Sequence, residues 1–380
     1  MSVAPARWPA FLGAFAAAFD NFAMTPLVRA IANDMHVELA EATQVASAYY
    51  LAYGVMQVPW GLASERIGRV QVMQLGLVFG VLGAVVSVFS PTLEFLLVAR
   101  FLAGAGMAAV VPSVMAWFGD ALEGEQRARA ATDMNAAYAT GAALGVLGAG
   151  VLADKVGWAA GFAASGVLAL VAFVGLRSLY RPPKPVTPGK LGDALKFPAV
   201  RAIAAIALVE GAVLFGLFAF LAPTMLATGA SAALAGVLIA AYGVSVVVWA
   251  RTAARFAPRL GVMRSMAFGG AMLVAGWAAV AISPAAPGVL TAAVLMGAAI
   301  VYFHSNLQVW ASQAAPTSRG PGIAMFSGSL FVGASLGTAL ARPWFAKGHV
   351  SALFALGAAL AVGVTVVALF ARRRSLTEPR

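Results

Sequence analysis

The chain has 380 residues, of which 62% are hydrophobic and only 10% charged, and its mean hydropathy is +0.89. A soluble domain carries about a quarter charged residues, so lipid rather than water must solvate most of this surface. The net charge of +11 is dispersed between apolar runs, which excludes a nucleic-acid-binding domain, and the absence of cysteine excludes disulfides and thiolate chemistry.

Runs of about 20 apolar residues mark membrane-spanning helices. Twelve are predicted, near 8–31, 43–63, 71–90, 93–118, 130–153, 158–177, 200–226, 232–254, 264–283, 287–312, 321–342 and 348–371. The first run is too long for a cleaved signal peptide and reads as a retained span. With the N-terminus inside, the cytoplasmic side holds 20 Lys and Arg residues and the outer side 4, so both termini are expected to be cytoplasmic.

Helix 1, "FLGAFAAAFDNFAMTPLV", carries Asp20 in its apolar middle. A carboxylate there costs about 2.5–3.5 kcal/mol on insertion scales, so it needs a partner or a task. In helix 2, Tyr53 beside the small Gly54 is a candidate lining residue of an internal cavity. The connection to helix 3, "GLASERIGRV", holds Gly61, Glu65, Arg66, Gly68 and Arg69. Gly68 permits a tight turn, while the arginines can meet acids and helix C-termini on neighbouring helices.

Helix 4 carries Arg100, about seven residues from its outer end and so about 10 Å deep at 1.5 Å per residue. Asp20 lies about 12 Å from the same surface of a ~30 Å core, at a coincident depth. The two are either partners, directly or through water, or Arg100 snorkels to the interface. Helix 5, "ATGAALGVLGAG", presents Gly141, Gly145 and Gly148, small residues that let helices approach closely.

Residues 177–201, rich in Pro, Gly and Lys, read as a cytoplasmic linker at the centre of the chain. Beyond it, helix 7 carries a second buried acid, Glu210, either facing a cavity or protonated and bonded to a neighbour. Helix 10, "YFHSNLQVW", carries His304 and Asn306; the imidazole titrates near neutral pH and is a candidate proton relay. The other histidines, His36 and His349, are too distant to form a metal centre with it.

The halves repeat. "AYGV" at 52–55 returns at 241–244 and Trp60 returns as Trp249, both 189 residues on. Trp117 returns as Trp310 at 193, and Gly141 and Gly145 return as Gly333 and Gly337 at 192. The expected organisation is a six-helix bundle over 1–178, a linker over 179–199 and a second six-helix bundle over 200–380.

On these residues the chain resembles the major facilitator superfamily over essentially its whole length. "GLASERIGRV" is similar to that family's loop signature G-x-x-x-D-R-x-G-R-[RK], with Glu65 for Asp and Val70 for the last basic residue; "RFLAGAG" is similar to its helix 4 signature. "ATGAALGVLGAG" resembles the helix 5 signature of antiporters, with Val146 where proline is expected. Within the superfamily the closest resemblance is to twelve-helix drug:proton antiporters.

That resemblance implies an all-α fold of two pseudo-symmetric bundles, an inner-membrane location and alternating access, with residues 61–69 as the conformational latch. It also implies proton-coupled efflux of small amphiphilic, cationic or neutral compounds. Asp20, Arg100, Glu210, His304, Asn306 and Tyr53 are then the candidate coupling and cavity residues. The alternative is uptake or exchange of a small organic anion held by Arg100. A monomer with substrate, protons and lipid as its only partners is expected. The proton gradient would be the energy source, without a bound cofactor. No Walker loop, nucleophile triad or paired-carboxylate site is visible, so no enzymatic activity is expected.

Overall fold

The computed structural model describes residues 7–183, 191–315 and 319–377. The centre of the expected linker, 184–190, lies outside the described residues, as do the two ends of the chain. Long helices follow one another along the described residues. They are α1 (Trp8–Asp34), α2 (Gln44–Ile67), α3 (Arg69–Val88), α4 (Leu93–Ala121), α5 (Gly124–Lys155) and α6 (Trp158–Gly175). The rest are α7 (Pro198–Ala227), α8 (Ala233–Arg255), α9 (Arg259–Ile282), α10 (Ala286–Gln313), α11 (Arg319–Ala346) and α12 (Val350–Thr377). No strand occurs among the described residues.

Eleven helices are long and apolar enough to cross a membrane; α2 is long enough but is not one of them. Its three tyrosines, Gln57, Glu65 and Arg66 lower its hydropathy, and Tyr49, Tyr50, Tyr53 and Gln57 are all buried. This is a multi-pass membrane protein. Below, the near face is the one where α1 begins, and the far face the one where it ends.

Several repeated residues also repeat their contacts. The Trp60 indole N–H donates to the Ala105 carbonyl (2.6 Å), and Trp249 donates to the carbonyl of Val294 (3.3 Å), each 45 residues on. A methyl group at Gly141 or Gly145 would strike the α1 carbonyl oxygens of Phe15 and Phe19. One at Gly333 or Gly337 would strike those of Leu208 and Ala212 on α7. The missing side chains are what let α5 lie on α1, and α11 on α7. Gly148 differs: a methyl group there would meet only the Phe19 ring, at 3.8 Å, an ordinary contact. Close approach is therefore not its contribution.

Gly68 (φ 107) turns the chain from α2 to α3, and Gly261 (φ 71), near the start of α9, kinks the helical run that leads from α8 into α9. Both angles strain any residue with a Cβ.

Two seams join the halves: α2 packs on α11, and α5 on α8. Towards the far face, Ser47 Oγ donates to the Ser335 carbonyl (3.1 Å), Arg29 to the carbonyl of Leu226, and the Ala233 backbone N–H to Asp154 Oδ2 (2.8 Å). At mid-depth the seams are aromatic. Tyr53 meets Phe331 with ring centroids 4.2 Å apart, and Phe22 stacks on Tyr242 at 5.6 Å.

Candidate functional site: two buried charged contacts

Asp20 and Arg100 face each other from α1 and α4. Arg100 Nη1 donates to Asp20 Oδ1 over 2.9 Å, and the side chains are 0% and 1% exposed for Arg and Asp respectively. Of the two arrangements open from sequence, direct contact is the one adopted. The guanidinium has further holds: Nε donates to Ser87 Oγ (2.9 Å), and its carbon lies 4.3 Å from the centre of the Phe162 ring. Ser87 is itself fixed by donating to the Gly83 carbonyl (2.6 Å). Helices α3, α4 and α6 therefore clamp Arg100, and only α1 offers it a counter-charge.

The neighbouring Asn21 donates to the Tyr138 hydroxyl on α5 (3.4 Å). Tyr49 of α2 lies within electrostatic reach of Asp20, Arg100, Tyr53 and Tyr138. A polar centre thus forms inside the first half, largely walled by aromatic rings.

The second contact joins α7 to α10. His304 Nδ1 lies 3.0 Å from Glu210 Oε1; the acid is fully buried and the histidine side chain 14% exposed. Each helix carries a π-helical turn here, Ala212–Gly216 on α7 and Ile300–His304 on α10. Such turns shift side-chain register locally and are frequent at functional sites. Phe215 and Phe326 pack against the imidazole with centroids at 6.4 and 5.6 Å. Phe215 stacks in turn on Phe331 at 5.5 Å, so this contact borders the α2–α11 seam.

Asn306 does not join it. Its amide donates to the Tyr302 carbonyl one turn back (2.8 Å) and to Ser265 Oγ on α9 (3.2 Å), which fixes it between α9 and α10. Tyr53 is 3% exposed and lies at the seam against Phe331, on the opposite helix from the Phe215 ring that packs on His304.

In the near-face loop, Arg69 grips its own half: Nε meets Asp120 Oδ2 at the end of α4 (3.0 Å), and Nη1 donates to Ser64 Oγ (2.6 Å). Gly61 faces α11, where a methyl group would sit 3.4 Å from the Ala324 Cβ. Arg66 is exposed and Glu65 partly buried.

What this arrangement can do is hold a proton or a charge at two depths that lipid would not tolerate unaided. The family model described as Major Facilitator Superfamily matches residues 10–317. The chain belongs to that superfamily.

Among curated members it is 28% identical over 190 residues to an uncharacterized MFS-type transporter, YybF, of Bacillus subtilis, covering 48% of this chain and 47% of that one. It is 29% identical over 161 residues to a triacylglyceride transporter of Mycolicibacterium hassiacum, covering 41% and 30%. The third, multidrug resistance protein D of Escherichia coli, is 33% identical over 81 residues, 21% of each chain. The chain thus spans less than half the length of these curated relatives. In fold it is similar to the solved POT family transporter PepTSo (TM-score 0.76, 15% identity, 98% and 99% covered). It is likewise similar to the human organic anion transporter MFSD10 (TM-score 0.75, 14% identity, 95% and 98% covered).

Residues beyond the superfamily's signatures complete the site: Ser87, Phe162, Tyr138 and Asp120. None carries a pattern visible in one sequence. A serine or a ring in an apolar helix reads as packing until its partner is known. One signal was available: between Asp193 and Glu378 the chain contains a single acidic residue, Glu210.

Proposed function

We propose that the protein is a proton-coupled secondary transporter that exports small amphiphilic, cationic or neutral compounds by alternating access. The observation that carries this reading is the presence of two buried contacts between ionisable side chains inside spanning helices, Asp20–Arg100 and Glu210–His304, one in each half. Intramembrane charges are costly and persist where they move ions or substrates. Superfamily membership supports transport. The short match to multidrug resistance protein D supports export.

The reading takes α2 as a spanning helix, giving twelve in two pseudo-symmetric bundles, 1–178 and 200–380, joined by 179–199. The recurrent contacts of Trp60 and Trp249, and of Gly141 and Gly333, support that division. Both termini lie in the cytoplasm, residues 61–69 act as the latch, and a monomer in the inner membrane works on the proton gradient alone. The enclosure of Arg100 by Asp20, Ser87 and Phe162 favours export over the uptake of an organic anion. Two of the three guanidinium nitrogens are already engaged, Nη1 by Asp20 and Nε by Ser87, and only Nη2 is left without a partner.

The test is transport by purified protein in liposomes under an imposed pH gradient, with a panel of cationic and neutral amphiphiles and a lumenal pH indicator. Substrate addition is expected to move protons, and Asp20→Asn to abolish that movement while substrate exchange persists. Coupled transport by Asp20→Asn at the wild-type rate would remove Asp20 from the mechanism.

A further inference from the structure

Buried side-chain atoms without a hydrogen-bond partner are rare in native proteins and mark places where water completes the bonding. Nine occur among the described residues, and five fall in one region of the first half. These are Asp20 Oδ2, Asn21 Oδ1, Arg100 Nη2, Tyr49 OH and Gln57 Oε1. They are not scattered. On α2, Tyr49, Tyr53 and Gln57 follow at four-residue spacing, so their side chains share one face.

Tyr49 is within electrostatic reach of Asp20 and Arg100, and its ring stacks on that of Tyr53 at 5.8 Å. Gln57 lies one turn beyond Tyr53 on the same face, with its Oε1 buried and without a partner. The next position, Gly61, has no side chain, and one turn further the buried Ser64 receives Arg69 of the near-face loop. From Tyr49 to Gln57 the face spans about 12 Å, and from Gln57 to Ser64 a further ~10 Å.

We propose that this face of α2, Tyr49–Tyr53–Gln57–Ser64, is a proton-relay path between Asp20 and water at the near face. The path rests on the transport reading, in which Asp20 takes up and releases a proton. In the coupled direction the O–H bond of Asp20 at Oδ2 breaks, each water or hydroxyl oxygen accepts one proton as it gives its own to the next, and the last transfer forms hydronium at the near face. The same steps in reverse load Asp20 after an acid jump at that face. Gln57 does not pass the proton; its Oε1 orients a water. When Asp20 is protonated at Oδ2 its Oδ1 still accepts from Arg100, which Ser87 and Phe162 also hold, so protonation leaves the guanidinium with its contacts. The groups facing Asp20 are Arg100 from α4 and Tyr49 from α2, with Tyr138 of α5 reached through Asn21.

Tyr49 and Gln57 are positioning and relay residues, and rate separates that role from a structural one. Full-length protein in liposomes is subjected to an acidic pH jump, and the carboxylic C=O infrared band absent from Asp20→Asn is followed in time. Tyr49→Phe keeps the ring and removes the hydroxyl. It is expected to reach the wild-type end point about tenfold more slowly, short of the ~10²–10⁴-fold that a positioned proton-transfer group typically supplies. Gln57→Leu, at the other end of the path, is expected to slow the same band and stands in if Tyr49→Phe does not fold.

A folded variant that protonates Asp20 at the wild-type rate overturns the relay. So does one that shifts the end point without changing the rate. Failure of the relay would leave substrate-driven proton movement in the wild type intact, whereas failure of the transport reading would abolish that movement.

Discussion

His304 on α10 touches Glu210 on α7 at 3.0 Å across 94 residues of sequence, and Glu210 is the single acid in the chain between Asp193 and Glu378. Every other charge in that stretch is basic. Among the described residues, this fully buried carboxylate meets one ionisable side chain, the imidazole. The two should therefore be energetically coupled. In a double-mutant cycle of Glu210→Gln and His304→Gln, the interaction term read from unfolding is expected to lie at about 0.5–3 kcal/mol. A cycle that sums to zero would mean the contact is incidental.

Asp20→Ala should be more damaging than the double variant Asp20→Ala/Arg100→Leu. The single change strands a buried guanidinium, at about 3–5 kcal/mol, whereas removing both charges leaves apolar neighbours in contact. Thermal unfolding in detergent checks this: the double variant is expected to recover part of the lost melting temperature. It should not recover proton-coupled transport.

Gly145→Leu should drive α5 off the Phe19 carbonyl of α1, and Gly337→Leu should do the same between α11 and Ala212 of α7. Overpacking of this kind costs about 1–3 kcal/mol or more. Gly148→Ala, with only an ordinary contact to the Phe19 ring, is expected to stay within about 0.5 kcal/mol. Equal losses at all three positions would refute the assignment of close approach to Gly145 and Gly337.

Gly68→Ala puts a Cβ where φ is 107 and ψ 151, a conformation nearly confined to glycine that costs other residues about 1–3 kcal/mol. The turn between α2 and α3 would relax, loosening the grip of Arg69 on Asp120 and Ser64. Faster proteolysis at the near-face loop is the expected reading; an unchanged digestion pattern would show that the turn tolerates a side chain.

Much of this site was legible in the sequence because membranes make charge conspicuous. Asp20, Arg100, Glu210 and His304 stand out in apolar runs, and simple rise-per-residue arithmetic brought the first two to one depth. The pairing of Glu210 with His304, and the further holds on Arg100 from Ser87 and Phe162, were not legible. The Glu210–His304 contact depends on π turns in both helices, which composition does not encode, and those turns set the local register. Asn306, two residues from His304, was expected in the cavity and instead bonds Ser265 and its own helix. Helix α2 was read as apolar, yet it carries the most polar buried face of the first half, and its tyrosines reconcile the two descriptions. Their rings satisfy the hydrophobic pattern while their hydroxyls point to polar work.

Two of the far-face ties between the halves share a property with an evolutionary consequence. Arg29 reaches the carbonyl of Leu226, Asp154 receives the N–H of Ala233, and Ser47 finds the carbonyl of Ser335. In the first two cases the first half supplies a side chain and the second half only main chain, whereas Ser335 offers Ser47 both its carbonyl and its Oγ. Codons for 226 and 233 can therefore drift widely without severing a tie, proline at 233 excepted, whereas a single change at Arg29 or Asp154 severs one outright. Purifying selection on this closure should fall unevenly on the gene, concentrated in its first half.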